Sequence, residues 1–122
     1  MTANDPLRSF AEWESWGEGI GSIMSDLSGL LDKIKERPQM YLSGRSINYL
    51  RAYLDGYLHA APNEERDAIG GELGAFRDWL AGKYGITSNQ SWNQIVLFYS
   101  TDETTALDGF FGLYEEFRNS DQ

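Results

Sequence analysis

The sequence predicts an all-α protein, a single-domain bundle of four to five helices. Apolar residues recur at helical spacing along most of the chain, and residues that favour helix N-caps precede these stripes. Pro38 and Pro62 stand where two of the stripes end. With 122 residues, 41% of them hydrophobic, the chain can bury one core without cross-links, and it has no cysteine to form them.

The first part of the chain divides into a lead-in and a helix. Residues 1–19 are expected to be loosely ordered, with a possible short helix from Leu7 to Trp16 that glycines then interrupt. A stronger helix should have Ser22 as its N-cap and end at Arg37, because Pro38 disfavours helical geometry in the residue before it. Its apolar stripe comprises Ile23, Met24, Leu27, Leu30, Leu31 and Ile34.

A loop from Pro38 to Arg45 should connect this helix to an antiparallel partner. Met40, Tyr41 and Leu42 are expected to hold the loop in place. We expect the first two of these side chains to be at least partly buried. Arg37 should pair with a carboxylate or with carbonyl groups at a helix end.

Two helices follow the loop. Ser46 or Ser43 caps the first, and Pro62 stops it. Asn63 should cap the second, which runs to Tyr84. The stripe of the first comprises Ile47, Leu50, Leu54, Tyr57, Leu58 and Ala61, and the inner face of the second comprises Ile69, Leu73, Phe76 and Leu80.

Glycines mark the second of these helices. Gly70, Gly71 and Gly74 would each lower helix stability by about 1 kcal/mol relative to alanine. Either this part of the helix is irregular, or the glycines let a neighbouring helix approach closely. Gly85 fits the left-handed position just after a helix.

The sequence pattern in the last part of the chain predicts two more helices. An apolar stripe follows Ser91 at helical spacing, although Gln94 to Ser100 is also rich in residues that favour strands, so a buried strand is the alternative. Thr101 and Asp102 should cap the last helix. The two stripes comprise Trp92, Ile95, Val96 and Tyr99, and then Ala106, Leu107, Phe110, Leu113, Tyr114 and Phe117.

The net charge of −9 constrains the kind of partner. It argues against nucleic acid, because lysine and arginine supply most of the affinity for phosphates, and it favours a basic protein that associates in a salt-dependent way. Residues 33–63 carry +3, against −5 for residues 1–32 and −7 for residues 64–122. We expect the positive block to offset the acidic blocks inside the fold; the alternative is that it faces an anion.

No residue pattern predicts catalysis, a metal ion or a cofactor. His59 is the only histidine, and a charge relay or zinc site would need further groups beside it. Adjacent carboxylates such as Glu115 and Glu116 point apart on a helix and do not form an acid–base pair. We therefore expect a binding protein and no enzyme. Carboxylates that converge from different helices would instead favour an enzyme.

The chain shows neither an export signal nor an apolar run near the ~18 residues that a membrane helix needs, so we expect no membrane partner and a cytoplasmic location. Tryptophans beside carboxylates suit the anchoring of a basic protein, although those of the lead-in could instead cover the bundle as a flap. The partner-binding candidates are Glu12, Trp13, Glu14, Trp16 and Glu18 in the lead-in, then Asp102, Glu103 and Asp108.

Several runs of the sequence resemble one group of small bacterial helical proteins. These runs are Lys35-Glu36-Arg37-Pro38-Gln39-Met40-Tyr41-Leu42-Ser43-Gly44, Ser46-Ile47, Tyr53-Leu54-Asp55-Gly56-Tyr57, Ser91-Trp92, Tyr99-Ser100, Ala106-Leu107 and Glu115-Glu116-Phe117. The group carries an Arg-Pro-x-Met-Tyr-Leu-Gly segment and then a Gly-Tyr helix; here Ser43 is inserted between the leucine and the glycine. The similarity covers roughly residues 27–118.

Proteins of that group look like immunity proteins encoded beside contact-dependent or secreted polymorphic toxins. The resemblance implies a protein that binds and neutralises a cognate toxin domain, such as a basic nuclease, by steric and electrostatic occlusion without chemistry. The alternative is an acidic helical regulatory module for another basic protein. No feature of the sequence specifies an oligomeric state.

Overall fold

The computed structural model describes residues 27–120, and all regular secondary structure in that part of the chain is helical. The helices are α1 (Leu27–Glu36), α2 (Ile47–Ala60), α3 (Asn63–Tyr84), α4 (Trp92–Phe98) and α5 (Glu103–Asn119), with a 3-10 turn at Pro38–Met40. Residues 27–120 contain no strand, which confirms the all-α prediction, including a helix where a strand was the alternative. The predicted lead-in and the predicted cap at Ser22 lie outside the described residues.

Proline and serine set the ends of α1 and α2. Helix α1 ends at Glu36, one residue earlier than predicted, and Arg37 adopts an extended φ of −139° before the ring of Pro38. Ser46 caps α2 as predicted, since its side chain accepts a hydrogen bond from the amide of Asn48 at 3.1 Å.

Helix α3 begins without the predicted asparagine cap. Asn63 is its first helical residue, and Pro62, which has no side-chain acceptor, takes the N-cap position. The other end agrees with the prediction: Gly85 has φ +68°, and the amide of Ile86 donates to the carbonyl of Ala81 at 2.8 Å.

Neither explanation offered for the glycines of α3 holds within residues 27–120. The helix is continuous, and a Cβ added at Gly70, Gly71 or Gly74 would meet nothing within 4 Å. The packing of the described helices therefore gives no steric reason for these glycines.

The core draws residues from all five described helices, and a cluster of aromatic rings joins α3 to α5. The ring of Phe76 packs within 5.7 Å, centroid to centroid, of the rings of Phe110, Tyr114 and Phe117. The predicted inner face of α3 is fully confirmed, because all four of its residues are buried. Helix α2 packs mainly against α5, α3 and α4, so its contacts with these helices exceed those with α1, its expected antiparallel partner.

Candidate partner-binding site

Apolar side chains form an exposed cluster where α4 ends. Tyr84, the last residue of α3, stacks on Tyr99 with ring centroids 4.2 Å apart and ring planes 13° apart. Phe98 packs edge-on against Tyr99 at 5.0 Å. We call Tyr84, Leu97, Phe98 and Tyr99 the α4 patch.

The α4 patch is exposed because α4 is short. The helix has seven residues and turns Trp92, Ile95 and Val96 inward. Phe98 does not share this inward face and is 72% exposed. Tyr99 is the C-cap residue, so it no longer follows the helical geometry of the stripe, and it is 49% exposed. Single exposed apolar residues are common on protein surfaces, whereas two adjacent aromatic residues braced by a third form a preorganised surface.

A shallow depression of about 420 Å³ adjoins the α4 patch. Its lining residues are Leu97 and Phe98, which are apolar, and Gln90 and Gln94, which are polar. Gln94 is fixed in place, since its side-chain oxygen accepts a hydrogen bond from the amide of Ser91 at 3.0 Å. The lining thus combines apolar surface with polar but uncharged groups.

A lysine already lies over aromatic rings beside the α4 patch. The ammonium nitrogen of Lys83 is 5.6 Å from the ring centroid of Trp79 and 5.8 Å from that of Tyr84. It donates a hydrogen bond of 2.9 Å to Glu116, and this bond raises the pKa of Lys83 above its usual value. The same end of the bundle therefore accommodates a cation stacked on aromatic rings.

The sequence segment that contains the α4 patch is acidic, although Lys83 lies over Tyr84 and Arg77 donates to the backbone carbonyl of Gln90. Residues 84–117 contain no lysine, arginine or histidine and have a net charge of −5. Asp102, one of the predicted candidates, lies just after the patch, is exposed and caps α5 by accepting a hydrogen bond from the amide of Thr105 at 2.8 Å. That hydrogen bond favours the ionised carboxylate and so lowers the pKa of Asp102 below its usual value.

The predicted candidates Glu103 and Asp108 hold the loop before α2. Glu103 accepts a hydrogen bond from the hydroxyl of Ser46, and Asp108 forms an ion pair with Arg45. The hydroxyl of Thr104 donates to the backbone carbonyl of Arg45 at 2.7 Å. We call these contacts the α5 staple, and they give both carboxylates a structural role in addition to any contact with a partner.

The predicted candidates of the lead-in fall outside the described residues. They are Glu12, Trp13, Glu14, Trp16 and Glu18. The described part of the candidate site therefore consists of the α4 patch, its depression and Asp102.

The motif residues around α2 form a second aromatic cluster. Tyr41 packs edge-on against Tyr53 at 6.0 Å, and Tyr53 lies 6.4 Å from Tyr57, whose hydroxyl donates a hydrogen bond of 2.6 Å to Glu65. All three tyrosines are half-buried. Burial, with a smaller contribution from Tyr41, raises the pKa of Tyr53. We call Tyr41, Tyr53 and Tyr57 the tyrosine row; it joins the loop of the motif to its Gly-Tyr helix.

Two predictions about the motif loop are wrong in detail. Met40 is 65% exposed, whereas Tyr41 is half-buried as predicted. Arg37 does not pair with a carboxylate or a helix-end carbonyl within residues 27–120; its guanidinium approaches the sulfur of Met40 at 3.9 Å. Because Pro38–Met40 form a 3-10 turn, Met40 is carried to the outside while Leu42 turns inward.

A polar network joins α2 to α4. Arg51 forms an ion pair with Asp55, one turn further along α2, at 3.0 Å, and it also donates to the side-chain oxygen of Asn93 at 2.7 Å. Asn93 is buried, and its amide group donates to Asn48 at 3.2 Å. The network borders an open groove of about 450 Å³ on the side of Gly70 and Gly74. Its guanidinium and amide groups bind one another, so it serves chiefly to fix α4.

The described residues supply no ready site for chemistry. His59 is exposed in the last turn of α2. No group of three His, Cys, Asp or Glu side chains between residues 27 and 120 could hold a metal ion. Among the described helices, none has the length and apolar composition of a membrane span.

Sequence reasoning missed Phe98 and Asn93. Both lie in the segment whose apolar stripe predicts core residues. The spacing does indicate that Phe98 is exposed, because Phe98 falls between the inward positions of that stripe. The sequence near Asn93 shows only its local partner, the hydroxyl of Ser91. Its partners Arg51 and Asn48 are more than 40 residues away, so the network could not be predicted.

Comparisons of the chain with protein-family models, curated proteins and solved structures give no match.

Proposed function

We propose that this protein is an antitoxin-like immunity protein that binds a cognate bacterial toxin domain and neutralises it by occlusion. The observation that carries the proposal is the α4 patch: preorganised, exposed aromatic rings within a stretch of chain that has acidic and no basic residues. Aromatic anchors with a polar rim are typical of protein-binding surfaces. The toxin domain would be basic, in keeping with a nuclease, and the binding would take place in the cytoplasm.

The role requires binding and no catalytic residue. Phe98 and Tyr99 would supply the desolvated centre of the interface, and Asp102 an ionised group at its rim. Rim charges act mainly on the rate of association, whereas buried anchors act mainly on dissociation. The resemblance of residues 27–118 to immunity proteins supports the proposal, as does the net charge of −9.

Co-expression with the toxin domain encoded by the neighbouring reading frame tests the proposal. We expect the intact protein to restore growth and Phe98→Ala to lose protection. Met40→Ala is the matched control, because Met40 is also an exposed apolar side chain but lies in the motif loop. Failure of the intact protein to protect would refute the immunity role; binding to the basic domain without protection would instead indicate a regulatory module.

Association kinetics measured across a salt series test the electrostatic part. We expect the association rate to fall as salt rises, because complementary charges accelerate encounter and salt screens them. A rate that is independent of salt would leave the binding role intact and refute its electrostatic mechanism.

A further inference from the structure

The groove between α2 and α3 has the size of a ligand site and is lined by two glycines of α3. Its volume of about 450 Å³ lies in the range of about 300 to 1,000 Å³ that small-molecule sites occupy. Gly70 and Gly74 are one helical turn apart, and a Cβ added at either would meet nothing within 4 Å. The packing of residues 27–120 gives these glycines no steric reason, whereas a ligand held against α3 would give them one.

The apolar lining of the groove includes a buried hydrogen-bond donor. Leu73 and Trp92 are each 6% exposed, and Leu58 is half-buried. The indole N–H of Trp92 has no acceptor among residues 27–120, where the polar contacts of its neighbours involve other groups. A buried N–H group without an acceptor destabilises the fold, so this donor calls for an acceptor from a bound molecule.

Two arginines line the groove and are less exposed than their acidic partners. The side chains of Arg51 and Arg77 are 37% and 24% exposed, against 58% for Asp55 and 79% for Asp78. Positive charge therefore lies deeper than negative charge.

The hydrogen bonds of the two arginines leave donor capacity and positive charge in the groove. Arg51 uses its Nε and Nη1 atoms for Asp55 and Asn93, so its Nη2 atom has no acceptor among residues 27–120. Arg77 donates to two backbone carbonyls, which are uncharged, and its ion pair with the largely exposed Asp78 is 3.3 Å long. The charge of Arg77 is thus only partly compensated.

We infer that the groove between α2 and α3 binds a carboxylate carried on an aliphatic body, either a small acid or the C-terminus of a peptide. The carboxylate accepts hydrogen bonds from Nη2 of Arg51 and from the indole N–H of Trp92, because guanidinium groups bind carboxylates more strongly than neutral acceptors. The aliphatic body packs on Leu73 and on the face of α3 that the glycines leave open. This site does not depend on the proposed function.

Titration of the full chain with hexanoate and hexanamide, followed by NMR, tests the inference. The two probes share an aliphatic chain and a carbonyl group, but only hexanoate is charged. We expect hexanoate to shift the indole N–H signal of Trp92 saturably and to bind about tenfold more tightly than hexanamide, since hydrogen bonds to charged groups are the stronger ones. Equal affinities, or an indole signal that does not move, would overturn the inference.

A variant that fills the groove locates the site. Gly74→Leu places a side chain in the groove, and we expect it to abolish the saturable shift. Gly82→Leu is the matched control, because Gly82 is also an exposed glycine of α3 with open space around an added Cβ but does not line the groove. Circular dichroism checks that both variants are folded; undiminished binding by Gly74→Leu, or equal loss in both variants, would contradict the site.

Two aromatic variants distinguish the groove from the α4 patch. Trp92→Phe deletes the indole N–H, keeps an aromatic ring and should weaken hexanoate binding about fivefold, the loss of one hydrogen bond. Phe98→Ala should leave the affinity unchanged. Weakening by Phe98→Ala and not by Trp92→Phe would show that the hydrocarbon chain binds the α4 patch, and this would overturn the inference.

A last pair of probes identifies the source of the carboxylate. They are acetyl-Gly-Gly-Leu with a free C-terminus and the same peptide as its C-terminal amide. Tighter binding of the free peptide acid than of hexanoate, with weak binding of the amide, would assign the groove to peptide C-termini, and tighter binding of hexanoate would assign it to small acids. Failure of both carboxylates to bind would refute the site.

Discussion

The tyrosine row and the α4 patch are both aromatic clusters on the outer part of the bundle, but their rings have different surroundings. In the tyrosine row the rings are half-buried, and the hydroxyl of Tyr57 bonds to Glu65. In the α4 patch, Phe98 is largely exposed, and its ring contact within residues 27–120 is with the adjacent Tyr99. The difference teaches that aromatic content alone does not mark a binding surface. Whether an aromatic cluster is available to a partner depends on the contacts that its rings already make within the fold.

The largest expected effect is a contrast in stability between the two clusters. Tyr53→Ala removes the ring that contacts both Tyr41 and Tyr57, so we expect it to lower the free energy of unfolding by about 2 kcal/mol. Phe98→Ala removes an exposed ring and should change it by less than about 0.5 kcal/mol. Chemical denaturation measures both, and comparable losses for the two variants would abolish the distinction.

A smaller effect should follow from removing one hydroxyl of the tyrosine row. Tyr57→Phe deletes the hydrogen bond to Glu65 and should lower the free energy of unfolding by about 1 kcal/mol. Glu65→Gln keeps an acceptor and should cost less. If both variants were as stable as the parent in denaturant titrations, the row would be held by ring packing alone.

The glycines of α3 offer a stabilised background for these comparisons. Gly74→Ala should raise the free energy of unfolding by about 0.5 to 1 kcal/mol, because the added Cβ meets nothing within 4 Å. Gly85→Ala is the opposing control and should destabilise, since φ is +68° there. A destabilising Gly74→Ala, measured by thermal unfolding, would reveal a contact made by residues outside 27–120.

The smallest effect concerns the acidic flank of the α4 patch. The folded-state pKa of Asp102 lies below its usual value, so the stability contributed by its carboxylate is present at neutral pH and is lost as the pH falls through that lowered pKa. Asp102→Asn keeps a capping acceptor but does not titrate. We expect the variant to lose less stability than the parent as the pH falls below the usual pKa of an aspartate, measured by denaturation at a series of pH values; parallel pH curves would contradict this.

Helix positions were predictable because their signals are local. Ser46, Gly85 and Asp102 act at helix ends as the sequence predicts, since a cap involves residues only a few positions apart. The prediction that Asn63 caps α3 was wrong for an equally local reason: the neighbouring Pro62 occupies the N-cap position.

The candidate site was less predictable, because exposure depends on where a helix stops and what packs on it. Tyr99 fits the helical stripe of α4 by spacing, but α4 ends one residue before it. Asp108 looked like a free surface carboxylate, and its partner Arg45 is 63 residues away in the chain. Spacing along one helix carries no information about such contacts.

The α5 staple has a consequence for the order in which the chain can fold. Ser46 can cap α2 as soon as Asn48 is in place, but Arg45 and Ser46 reach their other partners only when Asp108 and Glu103 have been synthesised. Bringing together segments about 60 residues apart costs chain entropy that local helix contacts do not incur. On a translating ribosome, α2 can therefore form while the loop before it is still unfixed, and the surface around the motif takes its final shape only after α5 has emerged.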